Sequence, residues 1–478
     1  MRTMHKAAFS VIAALAVVLA GCSTPGSDGG DDPESQVTQT DQGTPDQTGQ
    51  DTAAGGSDAG DAVTLEYWLW DANQTPQYQA CADAFTAANP SININITQTG
   101  WVDYWNNLTN NLAAGTGPDV FIDHLNYFPQ FLNDGVIVNL QPLIDRDDID
   151  MSGYYPTLAD LWKNQEGDSF GLPKDWDTVA LFYNKDLMEE AGYTQEDLWA
   201  LTWNPEDGGT YEQMIAHLTV DENGVRGDEE GFDKSKVATY GIAMEINGAG
   251  FSQAQLSPYF FSTGWQFTDK NPWGTKYNFD DQRYKDTVAW WQALIEKGYT
   301  NTIETMTSMD ANALDSFGAG KFAIVPNGDW MMSSFEALPD VTVNYAPTPI
   351  GPSGERASMF NGLTDAINAA SSHQEEAWEW VKFLGSVECQ SIVASHGVVF
   401  PAQQAASDEA LRVAEENGRD VSPFMVHVEE GTTFAPPITM HYADVLALMN
   451  PLFDAIMQGQ ESVDALDGMN QEINALFE

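Results

Sequence analysis

The chain has 478 residues, and its 71 Asp and Glu residues outnumber its 19 Lys and Arg residues, giving a formal net charge of −52. Such a surface repels nucleic acid and anionic lipid, and it disfavours an anionic ligand. A neutral or a cationic ligand is compatible with it, and so is a simple role of the acidic residues in solubility.

The N-terminus has the pattern of a bacterial export signal. Arg2 and Lys6 form a basic region, and the apolar run 7–20 is too short to span a bilayer. The run ends in Leu-Ala-Gly-Cys, which resembles the lipobox of bacterial lipoproteins; a non-lipidated signal with a chance Cys is the alternative. We expect 1–21 to be a signal peptide and Cys22 to carry the lipid, on the extracytoplasmic face of the cell membrane.

The segment after Cys22 is rich in Gly, Asp, Ser, Thr, Gln and Pro, and Val37 is its one aliphatic side chain larger than Ala. It cannot bury enough apolar surface to offset its ordering entropy. We expect 22–61 to be a disordered tether with a reach of about 35 Å. Residues 62–478 then suit two lobes rather than one core.

The body begins with alternating strands and helices. The pattern predicts a strand at 63–70, a helix at 75–88, a strand at 92–97, a helix at 101–114 and a strand at 119–122. This order is typical of a doubly wound α/β lobe, in which ligands bind at the carboxyl ends of the strands. The loops after Trp70 and Ile122 are therefore candidates for a site.

The rest of the chain predicts a second α/β unit and a helical end. Strands are expected at 179–183, 321–325 and 363–367, and helices at 210–218, 252–262, 281–297, 310–318, 374–384, 387–395, 440–457 and 462–477. Cys81 and Cys389 both fall in predicted helices. They could pair in an exported protein, but we expect two free buried thiols.

The sequence contains no motif that indicates a nucleotide site, a metal site or a Ser-His-Asp triad. GTGPDVF at 115–121 is not a phosphate-binding loop, and GxSxG, HExxH and CxxC do not occur. We expect no metal and no cofactor.

Asp175 and Asp177 are the carboxylate pair that could indicate a catalytic site. In an extended segment their Cα atoms lie about 6.6 Å apart on one face, a spacing that resembles the acid pair of an inverting glycosidase. Neighbours on one strand line a single wall, however, whereas a glycosidase pair flanks the bond it breaks. This geometry favours acceptors for hydroxyl groups.

Several aromatic residues stand at the ends of elements beside polar groups, and Trp70, Trp176, Trp265 and Trp330 are the examples. Most aromatic residues belong to cores. A sugar ring, though, needs a flat aromatic for its apolar face and carboxylates or amides for its hydroxyl rim. The four positions together favour a carbohydrate site.

The body resembles the family 1 extracellular solute-binding proteins that serve ABC sugar importers. The resemblance rests on AAGTGPDVF (113–121), GLPKDWDTVALFYNKDL (171–187), GKFAIVPNGDWM (320–331), EEAWEWVKFL (375–384) and HGVVFPA (396–402). It implies a lipid-anchored, monomeric, non-enzymatic receptor that binds a neutral carbohydrate and docks on a membrane permease.

The resemblance also implies the fold and the site. The fold would be α/β, of the two-lobed type II class, with discontinuous lobes, a hinge and a cleft between them. One lobe would contain 62–177 and 365–398, and the other 178–364 and 399–478. The implied ligand-binding residues are Asp71, Asn73, Asp123, Asn126, Trp176, Asp177, Trp265, Trp330, Asn361 and Phe400. The alternatives are an extracellular glycoside hydrolase and a peptide- or polyamine-binding receptor.

Overall fold

The computed structural model describes residues 62–244, 255–308, 313–395 and 399–478. The signal segment, the tether and Cys22 lie outside the described residues, as does the start of the helix predicted at 252–262. Within the described part of the chain, no helix combines the length and the apolar character needed to cross a membrane.

Thirteen strands occur in the described part of the chain. They are β1 (Val63–Leu69), β2 (Ile92–Gln98), β3 (Val120–His124), β4 (Pro173–Asp177), β5 (Val179–Asn184), β6 (Val220–Asp221), β7 (Val237–Thr239), β8 (Ile324–Gly328), β9 (Val343–Ala346), β10 (Ser358–Met359), β11 (Asn361–Ile367), β12 (Phe400–Pro401) and β13 (Thr433–Phe434).

The first sheet has six strands in the order β12-β4-β11-β3-β1-β2. β1 pairs in parallel with β2 and β3, whereas β11 runs antiparallel to both β3 and β4. The predicted alternation of β1 is confirmed, because Leu65, Tyr67 and Leu69 are buried while their neighbours are partly exposed. Strands from distant parts of the chain therefore complete one sheet.

The second sheet is smaller, with the antiparallel order β8-β5-β9. Two further sheets contain two strands each, β6 with β7 and β10 with β13. β5 is buried along its whole length, as the apolar run from Val179 predicts.

Nineteen α-helices lie in the described ranges. They are α1 (Thr75–Ala88), α2 (Trp101–Ala113), α3 (Phe128–Asp134), α4 (Gln141–Asp147), α5 (Pro156–Leu161), α6 (Lys185–Glu190), α7 (Gln195–Trp199), α8 (Gly209–Leu218), α9 (Ser257–Ser262), α10 (Gln282–Lys297), α11 (Ile303–Ser308), α12 (Ala313–Gly318), α13 (Met332–Glu336), α14 (Gln374–Leu384), α15 (Val387–Ala394), α16 (Gln404–Glu416), α17 (Ser422–Glu430), α18 (Tyr442–Met457) and α19 (Ala465–Asn474).

The expectation of two free thiols is wrong. Cys81 on α1 and Cys389 on α15 form a disulfide, with their Cα atoms 5.3 Å apart. α1 and α15 pack against each other. Both Cys side chains are buried in this contact, where the two sulfur atoms meet. The sequence predicts that each Cys lies in a helix, but it does not show which helices are neighbours. The disulfide forms because α1 and α15 are in contact.

Candidate ligand-binding site

The chain crosses from the first sheet to the second at Thr178. β4 ends at Asp177 and β5 begins at Val179, so a single residue separates strands of different sheets. The Thr178 amide donates to Asp329 Oδ1 at 2.8 Å, and the Asp329 amide donates to the Thr178 carbonyl at 3.2 Å. These hydrogen bonds fix the segment that follows β8 against the crossing.

Four carboxyl groups gather at this crossing, and we call Asp71, Asp175, Asp177 and Asp329 the acidic cluster. Burial, and then the charge of Asp329, raise the pKa of Asp177 well above its usual value. Burial also raises the pKa of Asp329, and it raises the pKa of Asp175 to about 7. The charge of Asp329 acts on Asp177, so these two carboxyl groups titrate as a pair and not independently.

Lys174 is a buried cation whose charge acts on Asp71 and Asp175, and its ammonium group pairs with Asp365. Its Nζ lies 3.4 Å from Asp365 Oδ1, donates to Tyr67 Oη at 3.1 Å and stands 3.9 Å from the centre of the Tyr78 ring. Burial lowers the pKa of Lys174, and Asp365 opposes that shift. The Lys174 charge also acts on the acidic cluster, where it lowers the pKa values of Asp71 and Asp175 against the effect of burial.

Asp71 occupies the loop after β1, where the sequence predicts it. Its Oδ1 accepts from the Asn73 amide at 2.8 Å, and its Oδ2 accepts from Gln74 Nε2 at 3.0 Å. Burial raises the pKa of Asp71 in spite of these donors. Asn73 in turn donates through Nδ2 to Ser334 Oγ at 3.0 Å, which ties the loop to α13.

The site is rich in acceptor atoms that have no donor among the described residues. Each belongs to a side chain that is at least nine-tenths buried, and the atoms are Gln74 Oε1, Asp123 Oδ2, Asn126 Oδ1, Asp175 Oδ2, Asp177 Oδ1, Asp329 Oδ2 and Asn361 Oδ1. Asn361 is the register partner of Asp177 across β4 and β11, so the two side chains are neighbours on one face. A buried acceptor without a donor is unfavourable, and a ligand with several donors would remove that cost.

Trp330 follows the Asp329 anchor directly. Its half-buried ring packs near Val179 and Met359, where Phe434 also packs. The ring lies so close to Gly328 that a Cβ at that position would clash with it. Glycine at 328 is thus required by the approach of the Trp330 ring.

Asp123 and Asn126 stand at the end of β3 and just beyond it. Asp123 Oδ1 accepts from the His124 amide at 2.8 Å, and burial raises the Asp123 pKa well above its usual value. His124 is buried as well, which lowers its pKa to about 3 and keeps its ring neutral. These residues place further acceptors at the carboxyl end of the first sheet.

An aromatic wall lies at the same end of the sheet, formed by Trp70, Trp101, Trp105 and Tyr127. Of these four residues the sequence pattern indicated only Trp70. The Trp70 and Trp101 rings lie 5.1 Å apart, and Tyr127 stacks on Trp105 at 3.8 Å with an 8° angle between the planes. Trp101 is 45 % exposed. The i, i+4 spacing of Trp101 and Trp105 on α2 was the available signal, because it puts both rings on one helix face.

Three predicted aromatic residues lie in the core. Trp176 has no exposed surface and packs against Phe400 at 4.7 Å with a 20° angle. Trp265 is also fully covered, packs on Phe267 and donates through Nε1 to the Asn278 carbonyl. In this conformation no ring face of Trp176 or Trp265 is open to a ligand, and Phe400 is buried too. These three rings therefore do not offer a stacking surface in this conformation.

The chain is similar to known binding proteins over most of its length. It is 24% identical over 373 residues to the lactose-binding protein of Rhizobium radiobacter, which covers 75% of this chain and 80% of that one. The crystal structure of Mycobacterium tuberculosis UspC matches with a TM-score of 0.67 at 25% identity, covering 87% and 100%. An ABC substrate-binding protein of Listeria monocytogenes in complex with cycloalternan matches with a TM-score of 0.73 at 18% identity, covering 87% and 99%.

The two sheets, the crossing at Thr178 and the buried acceptors near it are the features of a two-lobed α/β ligand-binding protein. The predicted α/β type II fold is confirmed by these structural neighbours. The model of the bacterial extracellular solute-binding proteins matches residues 80–416, and the chain belongs to that family.

Proposed function

We propose that the protein captures a carbohydrate outside the cell and delivers it to the permease of an ABC importer. The observation that carries the proposal is the set of buried acceptors without donors beside a half-buried Trp330. Sugar hydroxyls would supply the donors, and the apolar face of the ring would stack on the indole. The lactose-binding protein and the cycloalternan complex among its relatives support a sugar.

The proposed lobes are 62–177 with 365–398, and 178–364 with 399–478. Asp71, Asp123 and Asn126 would then bind from one lobe and Trp330 from the other, with Asp177 and Asn361 at the crossings. A sugar that touches both lobes favours the closed form by its differential affinity for that form. The permease would recognise the closed form.

Membrane attachment belongs to the same proposal. Lipid on Cys22 would hold the protein at the outer face of the cytoplasmic membrane, and residues 23–61 would give the monomeric body freedom to reach the permease. One relative, of Streptococcus pneumoniae, is described as a maltooligosaccharide ABC transporter solute-binding lipoprotein.

A thermal-shift screen tests the ligand class. The protein is heated with lactose, maltotriose, short peptides and polyamines, and the melting temperature is compared with that of the free protein. A sugar present at 100 times its Kd stabilises by about 2.7 kcal/mol. A shift with peptides alone, or with polyamines alone, would replace the proposal by the corresponding alternative.

Enzyme activity is tested separately. The protein is incubated with oligosaccharides that bind, and new reducing ends are measured over time. We expect none, because Asp175 and Asp177 belong to one strand and cannot flank a glycosidic bond from two sides. Release of reducing ends that is lost in Asp177→Asn would support the glycoside hydrolase alternative.

A further inference from the structure

The carboxyl ends of three strands of the first sheet lie along one edge. β1 pairs in parallel with β3, and both β3 and β4 run antiparallel to β11, so β1, β3 and β4 end at the same edge. Asp177 ends β4, and Trp70 directly follows β1. In the strand order, β4 and β1 are three strand spacings apart, which is about 14 Å. A single pyranose ring is shorter than this distance.

The buried acceptors without donors among the described residues fall into two groups along this edge. Asp177 Oδ1 and Asn361 Oδ1 belong to register partners on β4 and β11. Asp123 Oδ2 and Asn126 Oδ1 lie at the end of β3 and just beyond it. Because β11 lies between β4 and β3, the ends of these two strands are about 10 Å apart. Acceptors are thus available along much of the edge and not at the crossing alone.

His124 connects the second group of acceptors with the aromatic wall. Its amide donates to Asp123 Oδ1 at 2.8 Å, and its ring Nδ1 accepts from the Asn126 amide at 3.2 Å. The centre of the same imidazole ring lies 5.6 Å from that of Trp101 and 6.5 Å from that of Trp70. The wall therefore borders acceptors without donors. A sugar ring needs this combination, a flat aromatic for its apolar face and acceptors for its hydroxyl groups.

The aromatic wall also lies where the two proposed lobes meet. The centre of the Tyr127 ring is 6.3 Å from that of Tyr442, which begins α18 in the second proposed lobe. On its other side Tyr127 stacks on Trp105 at 3.8 Å. The wall thus belongs to the side of the first lobe that faces the second, where a ligand between the lobes would contact it.

Trp101 is the most exposed residue of the wall. It is 45 % exposed, and it is the one exposed Trp among the fifteen of the chain, all of which lie in the described ranges. Its ring packs edge-to-face with Trp70 at 5.1 Å and with Trp105 at 5.4 Å. These two contacts fix the orientation of the ring without covering it, so surface remains for a ligand.

We infer that the ligand is an oligosaccharide of at least two rings, with one ring at Asp177 and Asn361 and a further ring stacked on Trp101. This inference rests on the proposed sugar-binding function and adds the length of the ligand to it. A monosaccharide reaches one end of the edge, whereas an oligosaccharide contacts the acceptors at the crossing and the aromatic wall together. Affinity therefore rises with the length of the sugar, and Trp101 determines that preference.

Calorimetric titration of the lipid-free mature protein with sugars of increasing length tests the inference. Glucose, maltose and maltotriose form one series, and galactose and lactose form a second. We expect the longest sugar of at least one series to bind at least tenfold more tightly than its monosaccharide. Trp101→Ala should weaken the binding of that longer sugar at least tenfold and leave the affinity for the monosaccharide unchanged.

Two further variants make the assignment specific. Trp101→Phe retains an aromatic ring and should recover most of the affinity that Trp101→Ala loses. Val102→Ala is the matched control, because it removes an exposed apolar side chain from the next position of α2, and it should keep the wild-type affinities. Quenching of Trp fluorescence by acrylamide gives an independent readout. The longer sugar should protect the wild type from the quencher far more than it protects Trp101→Phe.

The outcomes separate the inference from the function on which it rests. Monosaccharides that bind as tightly as the longer sugars overturn the inference and leave the sugar-binding function in place. Tighter binding of the longer sugars that Trp101→Ala does not reduce overturns the assignment to the aromatic wall. An equal loss of affinity for the monosaccharide in Trp101→Ala overturns the separate site for a further ring. Failure of every sugar to bind overturns both the inference and the function.

Discussion

Thr178 and Asp329 exchange two hydrogen bonds although 151 residues separate them in the chain. One residue is the crossing between the two sheets, and the other begins the turn that carries Trp330. The contact makes the position of the Trp330 ring depend on the geometry of the crossing. A change in the angle between the sheets would therefore move the ring relative to Asp177.

Trp330→Ala should weaken sugar binding at least tenfold, or about 1.4 kcal/mol. The ring is half-buried and directly follows Asp329 of the acidic cluster in the chain, so its loss should remove stacking area from the site with little effect on the core. Calorimetric titration measures the affinity, and the melting temperature reports folding. Trp199→Ala is the matched control, because that half-buried ring packs near Arg356, far along the chain from β8. Equal affinity of Trp330→Ala and the wild type would remove Trp330 from the site.

The Cys81–Cys389 disulfide should stabilise the protein. Its sequence separation of 308 residues closes a long loop, and the double substitution to Ala should lower the free energy of unfolding by about 3 kcal/mol. Urea unfolding with and without reductant measures this difference. Two reactive thiols in the unfolded, unreduced 62–478 fragment would contradict the pairing.

Stability should fall as the pH rises from about 4 to about 7. Burial raises the pKa of Asp175 to about 7, so the folded state holds a proton that the unfolded chain has already lost. The contribution is fully present below the unfolded pKa near 4 and is lost as the pH passes the folded value. Each such proton contributes a slope of about 1.4 kcal/mol per pH unit.

The pH effect can be assigned by substitution. Asp175→Asn should make the fall in the free energy of unfolding shallower, while Lys174, Asp365 and Asp71, which act on the Asp175 charge, remain in place. Urea unfolding at several pH values gives the slope. If the free energy of unfolding of the variant falls with pH as steeply as that of the wild type, Asp175 does not titrate between about pH 4 and pH 7.

Cys22→Ser should release the protein from the membrane. The lipobox pattern predicts that the lipid is attached to this one side chain. The apolar run 7–20 belongs to the predicted signal peptide, which is absent from the mature protein. Fractionation of cells into membrane and soluble material measures the distribution. Cys81→Ser, combined with Cys389→Ser, is the control and should stay with the membrane fraction. Retention of Cys22→Ser in membranes would exclude lipid on Cys22 as the anchor.

The strongest sequence patterns predicted their elements well. α1 and α14 have the predicted bounds, and α8 and β11 differ from them by one or two residues. The pattern identified these elements because their apolar residues follow one period without interruption. Strand β8 was predicted at 321–325 and lies at Ile324–Gly328, since its polar end, Asn327 and Gly328, does not look like a strand.

Other features depend on tertiary contacts that a local pattern does not contain. The helices α16 and α17 were not predicted, and the pairing of Cys81 with Cys389 was predicted wrongly. Trp176 was predicted to bind the ligand because two Asp residues flank it at the end of an element. Its ring is instead covered by Phe400, which arrives on β12 from more than two hundred residues away. The carboxyl groups on either side of it are buried too, and that burial raises their pKa values.

The order of strands in the first sheet also governs when this protein can fold. β1, β2 and β3 are made early, but β4 has no partner in the sheet until β11 and β12 have been synthesised. Contacts of such sequence separation form slowly, because a long loop must close before they do. An exporting cell must therefore hold the chain open until about residue 401 has crossed the membrane. A fragment that ends before β11 would expose the edge of β3 and associate with other chains.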